Sequence, residues 1–247
     1  MHRTTATATA APRGRLTAAA TALLLTLGAL LGLAPAPAGA APVYHSSEEW
    51  AWLEHPGQVI PGGRIINVDG DGACSTGFLV GHGSRRFILT AGHCGDVGDR
   101  FAVDDARGAA AWAGQMVESA YERVGGVDIG LIELTGTAPA EATPPVEEPL
   151  LGWAGADWLE RTRPTICRLG YRTGLSCGDY LGVDESGIVH YEAITDHGDS
   201  GGMVVALADG GMYAIAVTSY QQPHDATRAA AMLVEPAMAH WDLTLLS

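Results

Sequence analysis

The feature that most constrains the fold of this chain is the distribution of its apolar residues into short runs, each closed by turn-forming residues. RIINV, GFLVG, RFILTA, DIGLIEL, GMVVAL and MYAIAVTSY are rich in β-branched side chains and separated by signals such as DGDG and ADGG. That is the pattern of antiparallel strands. No long stretch carries the 3.6-residue period of an amphipathic helix. Two short helices are expected: one within residues 46–55, where serines precede WAWLEH, and one within 236–246, which Pro236 opens. Between Thr135 and Leu150 lies the proline- and acid-rich GTAPAEATPPVEEP. It reads as an exposed connection between two strand-rich halves, each of roughly 75 to 100 residues.

Ahead of the strands, Arg3, Arg13 and Arg15 precede the apolar TAAATALLLTLGALLGL and the small-residue exit APAGA. This is the order of a secretory signal peptide over residues 1–40, cleaved after Ala40. The run from Leu16 to Ala34 is close to membrane-spanning length, so an anchor is the competing reading. Its alanine and glycine content and the Ala-x-Ala exit favour removal, which predicts a secreted protein with no membrane attachment. Residues 41–62 then form a short N-terminal segment, either trimmed on maturation or packed on the fold through Trp50 and Trp52. The rest divides into units at 63–140 and 141–247, expected to form a monomer.

Charge narrows the partners. The chain has 28 acidic residues against 14 basic ones, none of them lysine, and loss of the three leader arginines moves its formal charge from -14 to -17. A nucleic-acid-binding face is not expected on such a surface. Cys74, Cys94, Cys167 and Cys177 in an exported chain imply two disulfides, with three connectivities open. Local pairing, 74 with 94 and 167 with 177, keeps each bridge within its own half, at about 3 kcal/mol per bridge in the chain-entropy model. No cysteine pair has the close spacing of a zinc knuckle, so neither a metal nor another cofactor is expected.

The chemistry concentrates in HGDSGG, residues 197–202. A serine among glycines is a candidate nucleophile, but it needs a base to activate it. His93 is the candidate base, because RFILTAGHC brings an apolar strand to a small-residue turn beside a cysteine. A third group must hold the imidazole in one tautomer, and Asp128, at the mouth of the apolar strand in GGVDIGLIEL, is the candidate. Alone, each of these residues reads as structural. Together they read as a triad.

Five stretches in order, CSTGFLV (74–80), ILTAGHC (88–94), DIGLI (128–132), CRLGYRTGLSCG (167–178) and GDSGG (198–202), resemble the chymotrypsin-like serine peptidases, in particular small secreted bacterial enzymes of the streptogrisin and alpha-lytic type. The resemblance runs from about Gly63 to the C-terminus and keeps the histidine, aspartate, serine order of chymotrypsin. It implies an all-β fold of two packed antiparallel β-barrels with a short C-terminal helix. It also implies a serine endopeptidase acting on proteins or peptides, with Ser200 as nucleophile, His93 as base and Asp128 as its partner. The backbone N–H groups of Gly198 and Ser200 become the oxyanion hole. Asp199, expected to be buried behind the nucleophile, finds its counter-charge in Arg168, with Arg172 as the next place to look. Substrate binding falls to Ile194, Thr195, His197, Thr218, Ser219 and Tyr220.

Two other readings compete. GDSGG also fits the nucleophile elbow of α/β-hydrolases, but that fold needs an acid and a histidine after the serine within alternating helices and strands. An inactive binding protein on the peptidase fold usually lacks a triad member, and here all three are present. The bacterial relatives often carry a further disulfide just before the serine, whereas EAITDHGDSGG has no cysteine. Specificity is accordingly the least transferable part. By the same resemblance Ile194 falls at the pocket base, which argues against a basic side chain, and Val217 falls where glutamate-specific relatives carry a histidine, which argues against an acidic one. The bulk of Tyr220, where relatives usually have glycine, favours Ala, Val or Leu. Asp196 and Glu192 are the acids able to change that preference.

Overall fold

Continuous apolar runs such as RFILT and MVVAL leave no polar face, so strands built from them must be covered on both sides. The computed structural model describes residues 43–44, 48–70 and 72–247 and shows how this happens. The first part of the chain gives β1 (Val43–Tyr44), β2 (Arg64–Asn67), β3 (Gly72–Ser75), β4 (Leu79–His82), β5 (Arg85–Thr90), β6 (Arg100–Asp104), β7 (Ala110–Tyr121) and β8 (Asp128–Glu133). The second part gives β9 (Leu150–Trp153), α1 (Ala156–Thr162), β10 (Thr165–Gly170), β11 (Gly174–Val183) and β12 (Ile188–Glu192). It ends with β13 (Met203–Ala208), β14 (Gly211–Gln221), β15 (Arg228–Leu233), α2 (Glu235–His240) and β16 (Thr244–Leu245).

Two sheets result. One runs β16-β4-β5-β8-β7-β6-β2-β3 as a curled half-barrel. In the other, β11-β10-β13-β14-β15-β12 closes on itself through an antiparallel β11–β12 pairing. This is the expected double-barrel architecture. All described residues belong to one compact unit.

Side chains alternate across each strand, so successive residues serve different cores. Phe87 and Leu89 of β5 face a cluster shared by the two sheets, while Ile88 between them packs inside the first sheet. Met203 and Val205 of β13 join the shared cluster, and Val204 and Ala206 fill the closed barrel. The layer between the sheets is therefore as apolar as either interior, which is why these runs lack a polar alternation.

The chain ends cross over. β1 pairs with β11 of the closed barrel, whereas β16 pairs with β4 of the first sheet. Each end of the described chain thus joins the sheet built mainly from the other part of the chain. In the N-terminal segment Leu53, Val59 and Ile60 are buried and Trp50 joins the shared core, but Trp52 is exposed. The expected helix over 46–55 is only a 3-10 turn, Ala51–Glu54, its upstream serines lying outside the described residues. The C-terminal helix starts around Pro236 as expected but stops at His240, because Asp242 turns left-handed (φ 49°) and the next residues pair with β4. Helix α1 was not anticipated, having fewer than two turns and a single buried apolar residue, Leu159. The signal assigned to residues 1–40 lies outside the described residues. Among those described, no helix is long and apolar enough to cross a membrane.

Candidate active site

Strand pairing explains how distant residues meet. β5 and β8 are antiparallel, with Thr90 opposite Gly130, so the exit of β5 lies beside the entry of β8. The exit continues into a 3-10 turn, Gly92–Cys94, which carries His93. Gly92 is required there, since a Cβ would run into the carbonyl of Ala120. The entry of β8 is Asp128. Its carboxylate accepts from His93 twice, with Oδ1 3.0 Å from the backbone N and Oδ2 2.8 Å from Nδ1. Asp128 is buried, and the His93 side chain is 29% exposed. With Nδ1 donating to the carboxylate, Nε2 keeps its lone pair free to accept a proton.

A bulge adds a third contact. Thr218 pairs with Ala231 and Tyr220 with Ala230, so Ser219 is an extra residue in β14. Bulges re-aim side chains. Here the Ser219 hydroxyl donates to Asp128 Oδ2.

Ser200 lies in the turn between β12 and β13, which three hydrogen bonds staple to both sheets. Ser75 N donates to Ser200 O at 2.8 Å, Ser75 Oγ donates to Gly198 O at 2.9 Å, and Gly201 N donates to Thr218 O at 2.7 Å. Gly198 has φ 103° and faces Tyr171, and Gly201 has φ 79° and is wedged against Thr90 and Ser75, so neither position takes a side chain. Among the described residues, the amides of 196, 197, 199, 201 and 202 all find protein acceptors, while those of Gly198 and Ser200 find none.

Behind Ser200, Asp199 and Arg168 are both fully buried with Nη1 3.2 Å from Oδ1. The carboxylate does not depend on Arg168 alone. It accepts from the backbone N–H of Arg172 and Thr173 at 3.1 Å, from that of Asp196 at 2.9 Å and from the Thr173 hydroxyl at 2.6 Å. Arg168 in turn donates from Nε to Ile194 O at 2.6 Å and from Nη2 to the Thr173 hydroxyl. Arg172 contributes its main chain rather than its charge. Thr173, which joins both members of the pair, was not singled out in the sequence although it sits within CRLGYRTGLSCG, and the same holds for Ser75 in CSTGFLV.

One cavity of about 400 Å³ is lined by His93, Asp128 and Ser200 together. Thr195, His197, Thr218, Ser219 and Tyr220 line it as well. Ile194 does not; its main chain is held by Arg168 and by Ser176. Asp196 does line the cavity, and Glu192 does not. Tyr121 and Val124, both exposed, add an apolar wall that the sequence reading missed. Tyr121 stands with its ring centre 5.6 Å from that of His93.

The disulfides are Cys74–Cys94 and Cys167–Cys177, the local pairing. The first ties β3 to the turn that carries His93. The second joins residues directly opposite each other on β10 and β11. With their sulfurs joined, Cys74 and Cys94 offer no thiolate to a metal beside His93.

No family model matches the chain. It is 27% identical over 163 residues to streptogrisin-C of Streptomyces griseus, covering 60% of this chain but only 33% of that protein. To serine protease 2 of Streptomyces fradiae it is 28% identical over 174 residues, covering 65% of this chain and 93% of that one. Its fold matches protease A of Thermobifida fusca with a TM-score of 0.61 and 23% identity, over 77% of this chain and 99% of the other. In sequence the chain is similar to bacterial serine proteases, and in fold to bacterial chymotrypsin-like serine proteases, which are hydrolases.

Proposed function

We propose that the chain is a secreted serine endopeptidase that cleaves protein or peptide substrates through an acyl-enzyme. The observation that carries this reading is the cavity lined by Ser200, His93 and Asp128, next to the two unengaged amides of Gly198 and Ser200. Ser200 Oγ attacks the carbonyl carbon of the scissile bond as His93 Nε2 takes its proton. The carbonyl oxygen becomes an oxyanion, which accepts from the N–H groups of Gly198 and Ser200. Asp128, held by Ser219, stabilises the imidazolium. His93 then returns the proton to the departing amine, and water hydrolyses the ester by the same steps. Neither metal nor cofactor has a part in this sequence.

Secretion rests on the leader over residues 1–40. Residues 50–60 stay with the mature protein, since removing Leu53, Val59 and Ile60 uncovers the core they fill. N-terminal sequencing of the secreted protein reads both points, with a start before Trp50 expected.

The deciding experiment is labelling with a fluorophosphonate. Modification at Ser200 in the wild type, absent in Ser200→Ala and strongly slowed in His93→Ala, is the expected result. A folded protein that neither reacts nor cleaves casein is a binding protein on a peptidase fold, and the proposal fails.

A further inference from the structure

One wall of the cleft is backed by a polar chain that the proposed chemistry does not use. Asp184 Oδ2 lies 3.1 Å from His190 Nε2, and Gln222 Nε2 lies 2.6 Å from His190 Nδ1. A neutral imidazole carries one N–H. The carboxylate claims it at Nε2, so Nδ1 accepts from the Gln222 amide. Asp184 is itself fixed, its Oδ1 accepting from the N–H of Ser186 at 2.9 Å and of Ile188 at 3.0 Å.

Strand register brings this chain against the cleft. His190 of β12 and Tyr220 of β14 both pair with Ala230, from opposite sides of β15. Directly opposed residues share a face of the sheet, so His190, Ala230 and Tyr220 stand in one row across β12, β15 and β14. Tyr220 is half-buried; burial first, and then the Asp184 charge, raise the pKa of its hydroxyl, which stays protonated.

The ring reaches the other sheet. In the loop of residues 122–127, between β7 and β8, Gly125 has φ 82°, and a Cβ built on it would stand 3.9 Å from Tyr220 Oη. The neighbouring Val124 lines the same cavity as Tyr220 and Ser200. Tyr220 therefore spans from β14 to a loop of the opposite sheet, across the cavity that holds Ser200. The space left beside Ser200, about 400 Å³, is near the lower end of small-ligand pockets, room for a short peptide segment.

We propose that Tyr220 closes one end of the substrate cleft, and that His190 and Gln222, anchored on Asp184, are positioning residues that hold its ring there. The cleft then takes short peptide segments on that side of the scissile bond, and residues beyond the second add nothing to binding. This rests on the peptidase reading and names its substrate class.

The test measures peptide dissociation constants by calorimetry in the Ser200→Ala background, where nothing turns over. Two peptide series are lengthened from two to five residues, one on each side of the scissile bond. With Tyr220 present, one series should change less than about twofold beyond the second residue. Adding Tyr220→Gly should make that series tighten by about tenfold with length, whereas Tyr220→Phe, which keeps the ring, should leave it flat. His190→Ala and Gln222→Ala should each restore part of the length dependence. Two steep series with Tyr220 in place, no effect of Tyr220→Gly, or no peptide binding at all overturns the closure. Unchanged length dependence in both His190→Ala and Gln222→Ala overturns the brace. Fluorophosphonate labelling of the wild type reads the peptidase assignment separately, so the two can fail independently.

Discussion

Replacing Arg168 by methionine tests the support behind the nucleophile. Methionine keeps most of the length and apolar bulk of the side chain and removes three contacts: Nη1 to Asp199, Nε to Ile194 O and Nη2 to Thr173. Breaking a buried pair costs about 3 to 5 kcal/mol, because a charge is left uncompensated. Here Asp199 keeps three backbone N–H donors and the Thr173 hydroxyl. The lower end, about 3 kcal/mol, is therefore expected. In a domain of roughly 200 residues that lowers Tm by about 6 to 12 °C. Because Asp199 lies between Gly198 and Ser200, its displacement moves both amides proposed to hold the oxyanion. Turnover should then fall by about 10²-fold with little change in KM. Thr173→Val removes the hydroxyl that links the pair and should cost about 2 kcal/mol. Arg168→Met and Thr173→Val together should cost less than their sum, since both break one network. Urea denaturation and steady-state kinetics on the three variants decide the matter. Stability within about 0.5 kcal/mol of wild type for Arg168→Met, with full activity, refutes the idea that this pair holds the loop.

Asp128→Asn keeps the shape of the site but favours the wrong imidazole tautomer, so kcat should drop about 10⁴-fold with the fold intact by circular dichroism. Gly201→Ala places a methyl 2.6 Å from Ser75 O at φ 79°, and strain plus overpacking should cost about 3 kcal/mol or more in urea denaturation. Asp69 is held at about 2, below the ordinary 3.8, first by the side-chain hydrogen bonds of Arg100 and then by its backbone N–H. A depressed carboxylate stabilises fully above its ordinary value and loses that contribution as pH falls through about 2, so its NMR titration should move up towards 3.8 in Arg100→Gln. Among peptides with Ala, Leu, Phe, Arg or Glu before the cut, Ala or Leu should give the highest kcat/KM. Arg best by tenfold or more means that Asp196 meets the substrate's charge.

Much of this protein was already determined along the chain. Apolar runs buried on both faces show as RFILT, DIGLI and MVVAL, and the turn glycines punctuate them, so the β class and most interior strands were legible. The residues lining the candidate site were legible for a similar reason: Asp128 opens a strand, and His93 and Ser200 sit in small-residue turns beside strands, each within a motif. Tertiary structure decided the rest. The alanines, glutamine and glutamate of β7 suit a helix as well as a strand, and only pairing with β6 and β8 makes residues 110–121 extended. The crossing of β1 and β16 between the sheets leaves no local trace, because two-residue strands have no period. Thr173 and Ser75 lay inside quoted motifs, yet their roles arise from contacts with Asp199 and Gly198 more than 20 residues away in sequence. The bulge that turns Ser219 towards Asp128, and the register that sets His190 and Tyr220 on either side of Ala230, are likewise long-range. A side chain's chemistry is written in its residue type, but its partner is chosen by strand register, which is set when sheets close around a shared core.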